Sequence, residues 1–372
     1  MGPSQGRYLC FYPDPLPPTL EWSTEMVTLL SEAQHAVGLL GGLARSVENP
    51  HLLIRPFLDR EAVLSSQIEG TQTTYKELVL SKGSEEESRG DVQEVANYVR
   101  ALDQGLERLE QLPVSLRLIK ELHGTLLAGV RGQERTPGEF RRSQNWIGKP
   151  GCTLAEAAFV PPAPELLMET LDAFEKYIYS DHAAPKLVQL ALIHYQFETI
   201  HPFLDGNGRL GRLLIVLLTC QWGLLPSPLL YLSAFFHQHR QAYYEGLQQV
   251  RTHGRWDEWI AFFLRGIRAQ ANDSVERATK LQEARLDFER RTRGYRSSGA
   301  LHHLLDKLFA FPLLTIPKAA KILGMSYRAA QLNVEKLVAE KILWEAPGSY
   351  PKTFYCPQIL EIVSPETETE QS

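Results

Sequence analysis

The chain has 372 residues, of which 44% are hydrophobic and 22% charged, and its formal net charge is -5 at pH 7. This composition predicts a folded protein of two or three domains, and it argues against an intrinsically disordered chain or a globally basic nucleic-acid binder. The four cysteines lie far apart without CxxC spacing, and we find neither a secretory signal nor an apolar run long enough to span a membrane. We therefore expect a cytoplasmic protein with reduced cysteines and no membrane partner.

Helical periodicity dominates the first half of the chain. Residues 23–44, STEMVTLLSEAQHAVGLLGGLA, predict a helix with Ser23 as its N-cap, and residues 91–112 predict another with Asp91 as its N-cap. The segment SKGSEEESRG before the second helix predicts an exposed loop. Its acidic run from Glu85 to Glu87 is typical of a solvated surface.

Residues 58–70, LDREAVLSSQIEG, predict a further helix. Their apolar residues fall close to a helical repeat, and Gly70 suits the position just after a helix end. Glu69 would lie on the last turn, where a carboxylate opposes the helix dipole and gains nothing locally. A partner elsewhere in the fold would explain this carboxylate.

Residues 138–167, GEFRRSQNWIGKPGCTLAEAAFVPPAPELL, alternate polar and apolar side chains around glycines and predict a short β-hairpin with a wide loop. Residues 185–200, PKLVQLALIHYQFETI, predict a helix that leads into the next motif. His194 lies on the apolar face of that helix. We interpret it as a hydrogen-bonded core histidine rather than a catalyst.

Residues 201–212, HPFLDGNGRLGR, combine features of a polyphosphate site. The GNG run at 206–208 can adopt positive φ angles, so that backbone N–H groups point into one concavity at the start of the apolar helix that follows. Arg209 and Arg212 are three residues apart, so both guanidinium groups can reach the same anion. A structural glycine turn with solvated arginines is the alternative.

The same twelve residues contain a carboxylate and a histidine. Asp205 offers the hard oxygen ligand that Mg²⁺ takes from proteins, with bound phosphates as further ligands. His201, four residues earlier, is placed to accept a proton from an incoming hydroxyl.

This string resembles the signature of the Fic family, HxFx(D/E)GNGRxxR, at every specified position. The resemblance implies an all-helical core and transfer of AMP from ATP to a hydroxyl of a target protein, with Mg²⁺ bridging the phosphates. It makes His201 the general base, Asp205 the magnesium ligand and residues 206–208 the anion hole. The motif residues expected to bind ATP are Gly206, Asn207, Gly208, Arg209, Leu210, Gly211 and Arg212.

The segment SSQIEG resembles the inhibitory motif (S/T)xxxE(G/N) of Fic proteins whose inhibitory helix precedes the core. Ser65 and Glu69 occupy the specified places. By this resemblance Glu69 pairs with Arg212 and occupies the guanidinium that should hold the γ-phosphate of ATP. An ordinary surface glutamate at a helix end is the alternative.

The predicted hairpin resembles the flap with which Fic proteins bind the extended main chain of their target by strand addition. The residues expected to bind the target are Asn145, Trp146, Ile147, Gly148, Phe159 and Val160. In the segment FFHQHRQAYYEGLQQV, Tyr243 and Tyr244 match tyrosines that contact adenine in related proteins. His239 replaces an asparagine frequent in those proteins, and either tyrosine could instead pack in the core.

From Leu301 onward the pattern changes. Residues 315–343 predict a helix, a turn around Gly324 and a second helix, and residues 344–356 predict a strand, a turn and a strand, which is the pattern of a winged helix. Residues 301–360 carry seven Lys or Arg against four Asp or Glu, a balance of 7 − 4 = +3, which is a mild signal for DNA. Four side chains of the second helix would face a DNA groove or water, namely Tyr327, Arg328, Gln331 and Asn333. Protein contacts or bracing of the core are the alternatives.

We predict a mainly α protein in which an all-helical Fic core with a short β-hairpin flap is followed by a winged helix-turn-helix domain. The predicted units are an N-terminal helical region at 1–110, with the inhibitory helix at about 58–70, and a core at 111–270. A helical linker at 271–300, a winged helix at 301–361 and an acidic tail at 362–372 follow. The tail contains Glu366, Glu368 and Glu370.

The predicted function is an autoinhibited protein adenylyltransferase that acts on Ser, Thr or Tyr hydroxyls, including its own. It requires Mg²⁺ and ATP and forms a homodimer, as the family suggests. An enzyme that removes AMP or transfers another phosphate-linked group is one alternative. A regulator that senses ATP and acts on DNA through the winged helix is another.

Overall fold

The computed structural model describes residues 8–46, 51–81, 90–149, 151–347 and 352–365. The described chain is mainly helical and holds one small three-stranded sheet, which confirms the predicted fold class. The acidic run Glu85 to Glu87 and the tail glutamates Glu366, Glu368 and Glu370 lie outside the described residues. None of the described helices combines the length and the apolar composition needed to cross a bilayer.

The sequence predicts N-caps for two of the first five helices, and one of these predictions is confirmed. They are α1 Thr24–Ser46, α2 His51–Ile68, α3 Tyr75–Ser81, α4 Asp91–Arg108 and α5 Leu116–Leu126. Ser23 is confirmed as a cap, because its Oγ accepts the N–H of Met26 at 3.1 Å. The prediction for Asp91 is wrong: Gly90 is the N-cap, and the Asp91 carboxylate instead accepts the N–H of Gln72 at 2.8 Å.

The next helices surround one that is fully buried. They are α6 Leu167–Tyr179, α7 Lys186–Ile200, α8 Asn207–Gln221, α9 Ser233–Gln238, α10 Arg240–His253 and α11 Trp256–Thr292. All residues of α7 from Leu187 to Ile200 are buried, which explains its apolar character on all sides. It packs against α6, α8 and α11, so both ends of the motif at 201–212 are anchored in the core.

Helix α11 connects the core to the C-terminal elements without a break. Its 37 residues would span roughly 55 Å and cross the predicted boundary at 271. It packs against α1 along its first part and against the C-terminal helices further on. The predicted domain boundaries stay predictions.

The C-terminal elements follow the predicted order, with one strand that the sequence did not reveal. They are α12 Ser298–Ala310, β1 Leu313–Thr315, α13 Ile316–Leu323, α14 Tyr327–Ala339, β2 Trp344–Glu345, β3 Thr353–Tyr355 and α15 Pro357–Val363. The sheet is antiparallel in the order β1-β3-β2, with Leu314 opposite Phe354. Strand β1 has three buried residues, too few to show an alternating pattern. The winged-helix assignment stays a prediction.

One of the four side chains assigned to a groove on α14 lies in the interior. Asn333 is buried, and its amide donates to the Ala329 carbonyl at 3.0 Å, so the prediction that it faces a groove is wrong. Tyr327 and Arg328 are exposed, while Gln331 is half-buried.

Helix α2 is held by the core and by the C-terminal elements together. It packs against α4, α8 and α9 of the core and against α12 and α15. Arg60 of α2 lies 3.4 Å from the Asp273 carboxylate of α11. Arg277 donates to Asp273 at 2.8 Å and to the Ile362 carbonyl of α15 at 2.6 Å. The end of α2 is therefore placed by contacts on both sides.

Candidate active site

The loop at 201–206 joins α7 to α8 in a strained conformation. His201 has φ 49 and ψ 60, which is unusual for a residue with a side chain, and Gly206 has φ 74. The Asn207 side chain closes the loop, since its Oδ1 accepts the Phe203 N–H at 2.9 Å and its Nδ2 donates to the Phe203 carbonyl at 2.8 Å. The Asn207 side chain is therefore occupied, and the backbone N–H groups of Asn207 and Gly208 remain for the predicted anion hole, because that of Gly206 donates to Asp205.

Two residues of the flap region hold the same loop from outside. Arg141 is buried, and its Nε donates to the His201 carbonyl at 3.0 Å. Asn145 donates to the carbonyls of His201 at 3.2 Å and of Phe203 at 2.7 Å. The Asn145 side-chain amide is turned toward the motif loop, and the binding of a target at this residue stays a prediction. Arg141 was missed, since one arginine of an RR pair usually remains solvated.

His201 is neutral at physiological pH and has one nitrogen free. Its Nδ1 lies 3.3 Å from the Glu198 carbonyl, which can only accept, so the hydrogen is on Nδ1 and the Nε2 lone pair is available. Among the described residues, Nε2 has no hydrogen-bond partner. Desolvation by the surrounding protein lowers the pKa of His201 to about 4. Such an imidazole can accept a proton at Nε2.

Asp205 presents a carboxylate to the site. Its side chain is 38% exposed, and Oδ1 accepts the Gly206 N–H at 2.6 Å. Gly132, with φ 89, makes room for it, because a Cβ at position 132 would lie 2.9 Å from Asp205 Oδ2. One partly exposed carboxylate beside a phosphate site fits the donor set that Mg²⁺ takes in nucleotide enzymes.

Ser65 and Glu69 meet the same guanidinium; the resemblance implied the contact of Glu69, and the structure adds that of Ser65. Arg212 Nη2 donates to Glu69 Oε1 at 2.7 Å and to the Ser65 carbonyl at 2.9 Å, and Nε donates to Ser65 Oγ at 2.9 Å. Helix α2 ends at Ile68, so Glu69 lies just beyond the helix rather than on its last turn. A Cβ at position 208 would overlap Glu69 Oε1, which places the carboxylate against the first turn of α8.

The Glu69 carboxylate remains ionised in this position. Burial acts to raise its pKa, but the Arg212 ion pair and the charge of Arg209 together lower it below the ordinary value. The first turn of a helix stabilises negative charge as well. The structure therefore places an anion at the point where the motif predicts phosphate.

The two arginines of the motif do not converge on one anion. Arg209 Nη1 donates to Glu94 Oε2 at 2.9 Å, and both side chains are buried. Arg209 turns to α4 while Arg212 turns to α2, and the shared clamp on a bound phosphate stays a prediction. Glu94 was missed, although it lies on the α4 face that also carries the buried residues Tyr98 and Ala101. A carboxylate on a buried helix face signals a buried cation.

Glu198 is a second buried carboxyl beside Arg212 that the sequence analysis missed. Its Oε1 has no hydrogen-bond partner in the described part of the chain. A Cβ at Gly211 would lie 2.6 Å from it, so only glycine fits there. Burial raises the pKa of Glu198 to about 7, despite the opposing field of Arg212. Of the motif residues assigned to ATP, Leu210 is also buried in the core, and only its main chain can contact a ligand.

We expect Glu198→Gln to raise the free energy of unfolding by about 3 kcal/mol at pH 8 and to have little effect near pH 4.5. Between pH 4.5 and 7 the unfolded chain releases the Glu198 proton while the folded protein retains it, so rising pH destabilises the wild type. Glutamine has no such proton. Urea unfolding of the wild type and the variant at both pH values measures the change in the free energy of unfolding. An equal change at both pH values would contradict the prediction.

The two tyrosines assigned to adenine have different surroundings. Tyr243 is 1% exposed, and its hydroxyl bonds to His194 Nε2 at 2.9 Å, so its assignment to adenine is corrected in favour of the core. His194 itself is confirmed as a hydrogen-bonded core residue, with Nδ1 3.3 Å from the Gly211 carbonyl. Tyr244 is 43% exposed, and the Arg240 guanidinium lies 5.9 Å from its ring centroid.

The flap is reduced to a single antiparallel bridge between Ile147 and Phe159, with N–H···O distances of 2.8 and 3.0 Å. The Phe159 ring is buried beneath the Arg251 guanidinium, 3.7 Å from the ring centroid. The Val160 carbonyl accepts the N–H of Phe11 at 2.9 Å. The N-terminal segment therefore already occupies the outer edge at Val160.

The other limb of the flap has a free edge. Trp146 is partly exposed, and its indole donates to the Cys152 carbonyl at 3.0 Å. Within the described residues, its backbone N–H and carbonyl bond to no other backbone group. Gly148 has no space for a side chain, because a Cβ there would lie 2.5 Å from Cys152 Sγ.

The chain is similar in sequence to known proteins. Two family models match the chain, one described as Fic/DOC family N-terminal over residues 27–107 and one as Fic/DOC family over residues 113–219. A protein adenylyltransferase Fic from Drosophila virilis is 37% identical over 120 residues, which are 32% of this chain and 22% of that protein. The chain thus spans about a fifth of the length of the curated relatives it matches.

Two solved structures share the fold. A Fic family protein from Desulfovibrio desulfuricans G20 aligns with a TM-score of 0.59 and 20% identity, covering 92% of this chain and 98% of that one. A Fic domain containing signaling protein from Bacteroides thetaiotaomicron VPI-5482 aligns with a TM-score of 0.53 and 19% identity, covering 69% and 97%. At such identities the likeness shows the fold alone.

Proposed function

The chain belongs to the Fic/DOC family, and from this premise we propose that it is a protein adenylyltransferase held inactive by Glu69. In this proposal it transfers AMP from ATP to a side-chain hydroxyl of a protein, itself included. The adenylyltransferase relatives, which match only part of the chain, support the reaction class.

The position of the Glu69 carboxylate carries the proposal. It pairs with Arg212 at 2.7 Å and lies against Gly208 in the first turn of α8. The N-terminus of a helix with an arginine beside it is a site for phosphate. A carboxylate that takes this place excludes the γ-phosphate, so ATP cannot be held for attack until Glu69 moves.

In the proposed reaction the hydroxyl oxygen of the target attacks the α-phosphorus of ATP. The new O–P bond forms while the bond to the bridging oxygen breaks, and pyrophosphate leaves. His201 Nε2 takes the hydroxyl proton, and Arg212 and the N–H groups of Asn207 and Gly208 stabilise the phosphate charge. Bound Mg²⁺ would be held by Asp205 and would neutralise the phosphates. On the adenine side, we assign Tyr244 rather than Tyr243.

Labelling with ATP tests this proposal directly. The Glu69→Gly variant is incubated with Mg²⁺, a mixture of cellular proteins and ATP labelled on either the α- or the γ-phosphate. We expect label on protein from the α-position only, and none when His201→Ala is added. Label from the γ-position would indicate phosphoryl transfer, and release of AMP from pre-modified protein by the wild type alone would favour the reverse activity. Absence of α-label would refute the proposal.

We expect Ser65→Ala to raise labelling about fivefold over the wild type. The substitution removes one hydrogen bond to Arg212 Nε, worth about 1 kcal/mol, while Glu69 and the Ser65 carbonyl still bind the guanidinium. Ser66→Ala is the matched control, because Ser66 Oγ is equally buried and bonds to nothing in the described residues. An equal rise in both variants would show a general loosening of α2 instead.

The predicted homodimer, the cytoplasmic location and the contact with DNA stay predictions. So does the assignment of the flap to the target protein.

A further inference from the structure

His123, on α5, connects two loops through both of its ring nitrogens. It is fully buried, its Nδ1 accepts the Gly138 N–H at 2.8 Å, and its Nε2 lies 3.0 Å from the Asp205 carbonyl. An amide N–H only donates and a carbonyl only accepts. One tautomer, with hydrogen on Nε2, therefore satisfies both contacts.

The ring also packs against the motif loop. It stacks on Phe203, with ring centroids 3.7 Å apart and planes 11° from parallel. A Cβ at Gly206 would lie 3.6 Å from His123 Nε2 and 3.4 Å from a methyl of Leu127. The loop is thus pressed onto α5 at residues 203, 205 and 206.

The two hydrogen bonds require a neutral ring. A doubly protonated imidazole could not accept the Gly138 N–H at Nδ1, so the bond from Gly138 leaves the hydrogen on Nε2.

The direction of the Asp205 carboxylate depends on this main chain. Oδ1 accepts the N–H of Gly206, so the carboxylate and the peptide that follows it move together. Without a donor at His123 Nε2, the Asp205 carbonyl would lose its partner in a buried place, and the loop would shift to satisfy it.

We propose that His123 is a positioning residue that fixes the Asp205 main chain and so aims the Asp205 carboxylate at Mg²⁺ bound with ATP. The proposal rests on the proposed function for the presence of MgATP. His123 touches neither nucleotide nor metal in this role and acts through Asp205.

Two conservative variants separate the two hydrogen bonds of the ring. In His123→Gln the side-chain amide reaches the position of Nε2 and donates to Asp205, but the bond from Gly138 is lost. In His123→Asn the amide oxygen takes the position of Nδ1 and accepts from Gly138, but the bond to Asp205 is lost. Both remove the ring and its stacking on Phe203, so they share any merely structural defect.

Calorimetric titration of ATP at several Mg²⁺ concentrations, in the Glu69→Gly background, tests the proposal without an activity assay. We expect the Mg²⁺ concentration for half-maximal tightening of ATP binding to rise about tenfold in His123→Asn and less than threefold in His123→Gln. Metal-free ATP binding should stay within about twofold in both. Thermal unfolding checks that both variants are folded.

The midpoint is the Mg²⁺ concentration at which the tightening of ATP binding is half-maximal. Equal midpoints in the two variants would overturn the inference and leave the proposed function intact. The same holds if only His123→Gln raises the midpoint. If the Glu69→Gly parent itself shows no magnesium-dependent ATP binding, the proposed function is refuted first, and this inference falls with it.

Discussion

Replacing Glu69 with glycine is expected to raise the rate of AMP transfer to protein about 100-fold. Glu69 is 32% exposed, while its partner Arg212 is fully buried and also bonded to Ser65. Breaking a partly buried ion pair of this kind costs about 3 kcal/mol. Because each 1.4 kcal/mol changes an equilibrium tenfold, the pair favours the inhibited state over the open state by about 100-fold. Removal of the carboxylate also vacates the first turn of α8 for the γ-phosphate.

The initial rate of label transfer from α-labelled ATP measures this effect. Glu69→Gln is the informative control, because its amide can still accept from Arg212 but carries no charge to compete with phosphate. We expect it to lie between the wild type and Glu69→Gly. A rate in Glu69→Gly no higher than that of the wild type would show that Glu69 does not restrain the reaction.

Adding His201→Ala to the Glu69→Gly variant is expected to lower the rate by about 10²- to 10⁴-fold, the usual contribution of a positioned base. His201 Nε2 is the one nitrogen of this ring free to take a proton, while the phosphate charges are held by Arg212 and backbone N–H groups. MgATP affinity should therefore change less than about twofold. Retention of more than a tenth of the rate would remove His201 from the role of base.

Transfer rates and calorimetric ATP binding, measured on the same preparations, separate the two effects. His253→Ala is the matched control, since it removes an exposed histidine at the end of α10. It should leave both quantities unchanged.

The pH dependence of the reaction rate distinguishes a histidine base with a lowered pKa from one with an ordinary pKa. With the pKa of His201 at about 4, the imidazole stays deprotonated from pH 8 to pH 6. Glu198, whose pKa is about 7, does titrate in that range, so kcat/KM for ATP should be flat there in Glu69→Gly once Glu198→Gln is added. An imidazole of ordinary pKa near 6.5 would lose about half its activity by pH 6.5. Glu69 acts to raise the pKa of His201, so its removal does not narrow the flat range.

The main parts of the site could be predicted from the sequence because they depend on neighbours along the chain. A glycine run that begins an apolar helix places its N–H groups at a helix end whatever the surrounding fold, and the spacing of His201, Asp205 and Arg212 follows from that turn. The pairing of Glu69 with Arg212 came from a family motif, and the helix end at Ile68 with Gly70 beyond it agrees.

Other assignments depended on partners far away in the chain. Asn145 lies in the predicted flap, but its amide closes on the motif loop 56 residues later, at His201. Tyr243 follows the pattern of an adenine contact, yet 49 residues separate it from His194, the partner that holds it in the core. The residues that neighbour Asn145 and Tyr243 in the sequence give no sign of these distant partners.

The sequence alone determined the helical class, the motif loop and the chemical types that meet there, because turn geometry and helix periodicity are local properties. Only the tertiary structure decided that Arg209 turns to Glu94, 115 residues away, and that His123 supports Asp205 across 82 residues. A buried charge or carbonyl must find a partner, but which one it finds depends on how the helices pack, and no periodicity in the chain encodes that choice.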